Sequence, residues 1–183
     1  MIKKILLMVL FIAPLGLAAQ KFATFDYATV MQAMPETKKA QTELESLNNQ
    51  YRTELQNMQK EIQTKMEKYE AEINDKTPEN IRTRRAQEIQ EMQQRLQQAY
   101  EDNTKNFQDE ETKKMQPIIQ KVIDAVNAVS KEGNYVYIID KASSQNAGIF
   151  VNTALNEDVT NKVLAKLGLS ASAATPATPS TMK

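Results

Sequence analysis

Histidine, cysteine and tryptophan are absent from this 183-residue sequence, and glycine occurs only four times. Each absence excludes something. Without histidine the chain lacks the usual proton shuttle near neutral pH and the commonest metal ligand. Without cysteine it has no thiolate nucleophile, thiolate metal site or disulfide. Carboxylate pairs remain available for hydrolysis, because Asp and Glu number 23. Catalytic carboxylates need a shaped pocket, however, and so few glycines leave few loops to shape one. No glycine-rich phosphate loop is present, and no cofactor is expected. Neither sign of charge is in excess: 23 basic residues face 23 acidic ones, and the pI is near 6.4. Nucleic-acid-binding domains are usually basic, so no nucleic-acid partner is expected.

Gln, Glu, Lys, Ala and Leu dominate the middle of the chain, a composition of long helices. The N-terminus reads differently. Met1–Lys4 is a short basic region, Ile5–Leu17 is apolar, and Ala18-Ala19 offers small residues for cleavage, the pattern of a secretory signal. The apolar run, about 13 residues with Pro14 inside, is short for a bilayer span. Cleavage is expected after Ala19, leaving Gln20 first. No cysteine follows the run to carry a lipid. Loss of Lys3 and Lys4 leaves 21 basic against 23 acidic residues.

Residues 21–26 (KFATFD) alternate apolar and polar and predict a strand. Tyr27–Met34 predicts a short helical segment, and Pro35 suits the first turn of the next helix. From Glu36 to about Asp75 the sequence has no internal Gly or Pro. Its apolar stripe repeats every eleven residues: Leu44, Leu55, Met66; Leu47, Met58, Tyr69; Tyr51, Ile62, Ile73. Eleven residues in three turns is about 3.67 per turn, so the stripe stays nearly straight or winds gently right-handed. Forty residues at about 1.5 Å each make a rod of roughly 60 Å.

Residues 74–78 (NDKTP) predict the tip, with Thr77 as N-cap and Pro78 at the first position of a second helix. That helix runs to about Lys131, with Gly133 as a left-handed cap. Two long helices joined by a short turn make an antiparallel hairpin. Reflection about Lys76–Thr77 puts Glu36 opposite Pro117. Proline inside a helix removes one hydrogen bond and bends the axis, so Pro117 is read as a hinge between the hairpin arm, 36–116, and a packed body. Beyond it the helix becomes rich in Ile and Val.

The body comprises 20–35 and 117–168. Strands are expected near 135–140 (YVYIID) and 148–151 (GIFV), separated by a polar turn over 143–148. Thr160 is expected to cap a last helix over 161–167, ended by Gly168. Residues 169–183, rich in Ala, Ser, Thr and Pro, predict a disordered tail. The fold class is α+β, mostly α: a long helical hairpin, or coiled-coil arm, on a small β-rich body. Phe22, Phe25, Ile118, Val122, Val126, Tyr135, Tyr137, Ile139 and Phe150 are the expected packing residues. So small a sheet with open edges is marginal alone, so a homo-oligomer joined through the body is expected.

The order of parts resembles the Skp/OmpH family of periplasmic chaperones. The residues that carry the resemblance are Lys21–Asp26, Lys131-Glu132-Gly133 followed by Tyr135–Asp140, and Asp158-Val159-Thr160 followed by Val163-Leu164. It covers nearly the whole chain between signal and tail. It implies a trimer with three arms enclosing a cavity, located in the periplasm, holding unfolded outer-membrane proteins without ATP. Well-known members are distinctly basic, whereas this chain is near neutral.

A holdase needs a surface that binds many sequences weakly, and Met and Tyr suit this. Met58, Met66, Tyr69, Met92, Tyr100 and Phe107 are the client-binding candidates; the competing reading is that they zip the two helices together. Lys76, Arg82, Arg84 and Arg85 form a basic cluster at the tip that would give weak contact with an anionic membrane; the competing reading is a solvated helix face. Asp26 and Asp140, at strand ends, read as turn and cap residues rather than a catalytic pair. The rival function is a periplasmic coiled-coil spacer or adaptor with one folded partner.

Overall fold

In the computed structural model, residues 20–152 and 154–170 are described. The expected signal, 1–19, and most of the expected tail, 171–183, lie outside them. The elements are β1 (Lys21–Phe25), α1 (Tyr27–Ala33), α2 (Pro35–Glu72), α3 (Glu79–Gly133), β2 (Tyr135–Asp140), α4 (Lys141–Asn146), β3 (Glu157–Asp158) and α5 (Thr160–Lys166). The chain forms two compact units. One comprises the described residues within 20–34 and 120–170; the other is Pro35–Ile119. Helix α3 continues from one into the other.

The first unit is built on a three-stranded parallel sheet in the order β2-β1-β3. Ala23 and Phe25 of β1 are buried, with Val30, Met31 and Ala33 of α1 and Val163 and Leu164 of α5. Val122, Ala125 and Val129 keep one inward face of α3 at steps of three and four. Met34 takes extended angles before Pro35, because proline's ring disfavours a helical residue ahead of it. That separates α1 from α2.

Three local details differ from the sequence-based expectation. Residues 148–151 do not form a strand. Lys141–Asn146 coils instead into α4 where a polar turn was expected, and its C-terminus consumes the N–H groups that a strand would need. Ala147 N–H bonds to Ser143 O at 2.9 Å, Gly148 N–H to Gln145 O at 3.2 Å and Ile149 N–H to Ser144 O at 2.8 Å. Gly148 has φ 67°, which stops the helix. The open edge of β1 is taken by Glu157–Asp158, continued by Val159 N–H on Thr24 O at 2.8 Å.

The left-handed residue after α3 is Asn134, at φ 53°, and not Gly133. Asn tolerates that region better than other residues with a side chain. Gly133 is required for a different reason: a Cβ there would stand 2.0 Å from the Tyr135 ring. Thr77 does not cap α3 by its side chain. Its Oγ1 accepts Asn74 N–H at 2.9 Å inside the turn, and α3 begins after Pro78, whose carbonyl accepts Ile81 N–H at 3.0 Å.

In the second unit, α2 and the first part of α3 run antiparallel. Its fully covered apolar residues are few, Ile62 and Met92 among them, and most of the stripe is half-buried. Polar rungs supplement it. Glu43 accepts Lys114 Nζ at 2.6 Å, Glu54 accepts Asn103 Nδ2 at 3.1 Å, and Glu72 accepts Arg85 Nη2 at 2.6 Å. Lys65 and Tyr69 both donate to Glu88. Glu43, Glu54 and Lys65 stand eleven residues apart, so these rungs keep the period of the apolar stripe. Lys114 pairs with Glu43 rather than with Lys39, which reflection about the tip puts opposite it. The partners are therefore offset by about one turn. Helix α3 runs through Pro117 within one 55-residue span. The division between units falls after Ile119, two residues beyond Pro117. Loss of a single hydrogen bond does not interrupt so long a helix.

Candidate functional site

The basic residues at the tip divide into two pairs. Arg82 is turned inward: Nε donates to Thr77 O at 3.0 Å, and Nη2 stands 3.4 Å from both Asn74 O and Asp75 O. It holds the turn closed by satisfying carbonyls that no helix bond reaches. Arg85 pairs with Glu72 and lies over the Tyr69 ring, 4.8 Å from its centroid. Lys76 and Arg84 are exposed and have no side-chain partner among the described residues.

The six client-binding candidates also separate. Tyr69 is committed to the hairpin through Glu88, with Lys65 and Arg85 against its ring. Met58 and Met92 sit with Ile62 beside the Lys65–Glu88 rung, and Met92 is buried. Met66, Tyr100 and Phe107 lie on the other side of the seam. There they line two grooves of about 330 and 310 Å³. Tyr100 is 59% exposed, far too open for a zipper residue.

In the sheet unit, Phe25, Val122 and Tyr135 are buried, and Val126 and Ile139 are half-buried. Ile118, which falls in the hairpin unit, is also buried. Phe22 and Tyr137, paired across β1 and β2, stack with ring centroids 6.1 Å apart and stand largely in solvent. Phe150 is 97% exposed, so within one chain it packs on nothing. Ile149 and Phe150 line a concavity of about 500 Å³ with Thr24, which alternation places on the same sheet face as Phe22. Val136 and Leu155 are exposed as well. Sequence reasoning missed Leu155, which stands in a polar stretch without periodicity.

The strand-end aspartates are occupied by backbone. Asp26 accepts Thr29 N–H at 2.8 Å and caps α1. Asp140 accepts Ser143 N–H at 2.9 Å, capping α4, and Tyr27 N–H at 3.0 Å. Burial pushes the Asp140 carboxyl up, but the hydrogen bonds from Ser143 and Tyr27 together outweigh it and hold the group below its ordinary value. Asp158 accepts Thr160 N–H at 3.0 Å and Lys141 Nζ at 2.7 Å. Thr160 Oγ1 in turn accepts Asp26 N–H at 2.9 Å, so its hydroxyl joins β1 to α5 rather than capping α5 as expected. On the far side of the sheet unit, Glu157 accepts from Lys162 at 2.5 Å and from the Tyr135 hydroxyl. The Lys162 bond, then that of Tyr135, holds Glu157 below the usual carboxylate value; the Glu157 bond raises Lys162. No described helix is long and apolar enough to cross a membrane.

Comparison with known proteins agrees with this arrangement. No curated protein matches the chain by sequence. Among solved structures, a proposed outer membrane chaperone (OmpH-like) from Caulobacter crescentus CB15 superposes with a TM-score of 0.65 at 17% identity, covering 82% of this chain and 85% of that one. At that identity the likeness speaks for the fold. The model of the outer membrane protein (OmpH-like) family matches residues 21–167, from β1 to the end of α5, and on that match the chain belongs to the OmpH-like family.

Proposed function

We propose that this protein is a periplasmic holdase that keeps unfolded outer-membrane proteins soluble without ATP, as a trimer joined through its sheet units. The observation that carries the reading is exposed apolar surface in a protein of this family. Phe22, Val136, Tyr137, Ile149, Phe150 and Leu155 are 44–97% exposed on one small unit. Monomers rarely show such patches without a partner to cover them. Association of sheet units would cover it and the open edge of β2. The hairpins, stabilised by polar rungs, then remain free to meet clients.

Near-neutral charge sets this chain apart from strongly basic relatives. Only Lys76 and Arg84 stay available at the tip, so contact with anionic lipid is weak and capture depends on apolar contacts. The experiment is dilution of a urea-unfolded outer-membrane barrel into buffer with and without the protein, followed by light scattering. Suppressed scattering near one trimer per client chain supports the reading. Undiminished scattering at a large excess sinks it and favours a spacer or adaptor with one folded partner.

A further inference from the structure

The two grooves beside Met66 and Tyr100 form one track. On α2 the lining runs from Asn48 through Arg52, Leu55, Gln59 and Met66 to Glu70. Steps of three and four keep these on one side of the helix without a gap. On α3, Gln93 and Leu96 continue into Tyr100, Asn103, Thr104 and Phe107 in the same way. The residues around Lys65–Glu88 belong to the opposite side of the seam.

The floor is apolar and the rims are mostly side-chain amides and a hydroxyl. Charge is confined to the ends. Arg52 stands at one, its Nη2 donating to the neutral Asn49 side chain at 3.2 Å. Glu67 and Glu70 stand at the other, and both are exposed. From Asn48 to Glu70 the track is about 33 Å long, at about 1.5 Å per helical residue. An extended strand rises about 3.3 Å per residue, so about ten residues span it.

We infer that this track on the hairpin binds an extended apolar segment of about ten residues, its ends bearing opposite charges complementary to Arg52 and to Glu67–Glu70. The inference rests on the holdase reading and names where on the arm a client lies. Apolar side chains on one face of the strand enter the floor between Leu55, Met66, Tyr100 and Phe107. Amides such as Asn48, Gln59 and Gln93 offer both donors and acceptors to the unpaired backbone, whatever its sequence. The central rims carry no charge, which suits a neutral backbone and gives nothing to a phosphate chain.

The test uses the chain from Gln20 onward and two labelled twelve-residue peptides with the same alternating Val/Thr/Tyr core. One carries Asp at one end and Lys at the other; its partner carries Ser at both. Anisotropy should show the charged-end peptide binding several-fold tighter. The double variant Tyr100→Gln, Phe107→Gln should weaken both peptides by about tenfold or more, as loss of aromatic anchors does. Because Tyr100 is mostly exposed, Tyr100→Gln alone keeps the test valid if the pair unfolds. Arg52→Gln with Glu67→Gln and Glu70→Gln should erase the preference between peptides. Unchanged binding by the folded double variant overturns the track. So does a concentration-dependent mass that Tyr100→Gln lowers, which would assign the groove to a second copy. Capture of an unfolded barrel is measured alongside. If wild type and double variant capture it equally, the track fails and the holdase reading stands. If wild type captures neither barrel nor peptide, both fail.

Discussion

Asp140 Oδ1 accepts the Tyr27 backbone N–H at 3.0 Å across 113 residues of sequence, while Oδ2 accepts Ser143 N–H at 2.9 Å. One carboxylate thereby joins the end of β2 to the start of α1 and caps α4. Asp140→Ala should cost the sheet unit about 1–2 kcal/mol, the usual loss for a capping residue. The pH dependence follows from the direction of its shift. Its folded pKa lies below the ordinary 3.8. Its contribution is therefore present above 3.8 and is lost as pH falls through the lower folded value. Urea unfolding of wild type and Asp140→Asn across that range should converge at the acid end. Parallel curves throughout would show that the charge is irrelevant.

Gly133→Ala should destabilise through a clash and not through backbone conformation. The new Cβ would meet the Tyr135 ring at 2.0 Å, and moving the ring disturbs its bonds with Glu157 and Lys162. Overpacking of this kind costs about 1–3 kcal/mol. In a Tyr135→Ala background the same substitution should cost much less, because the obstacle is gone. Thermal unfolding of the four proteins of this cycle measures the coupling, and additive effects would refute the clash.

Arg82 and Arg84 are two positions apart and should behave differently. Arg82→Gln removes the donors that hold Thr77 O and Asn74 O. Amide exchange over residues 74–77 should accelerate about tenfold, as expected for a locally loosened turn. Arg84→Gln should leave both exchange and stability unchanged to within about 0.5 kcal/mol. Instead it should reduce whatever residual binding to anionic vesicles exists.

Much of this architecture was legible in the sequence, and the exceptions have physical causes. The eleven-residue stripe and Pro35 place α2; the β-branched run 135–140 places β2. The segment 148–151 has the same β-prone composition and is not a strand, because its N–H groups close α4 and β1 has already paired with Glu157–Asp158. Strand pairing is a competition between segments distant in sequence, which local composition does not register. The candidate surface residues divided for a similar reason. Tyr69 and Tyr100 look alike along the stripe, yet Glu88 faces one and solvent the other. Arg82 and Arg84 differ only in which side of the helix they leave.

A fourth prediction concerns the rung at Glu88. It accepts from both Lys65 and Tyr69, and so joins two turns of α2 to one of α3. Glu88→Ala should loosen the distal hairpin, seen as faster exchange over residues 62–73 and 81–92. Capture of unfolded barrel per folded molecule should be unchanged, because this side of the seam lies away from Tyr100 and Phe107. A selective loss of capture with exchange unaltered would move the client surface to the Lys65 side.

The most direct test of the account is native mass of the chain from Gln20 onward, alone and after dilution of a urea-unfolded outer-membrane barrel. The account predicts a trimer that gains the mass of one client chain and keeps it soluble. A stable oligomer that takes up no unfolded client, while the barrel precipitates beside it, would contradict the holdase reading.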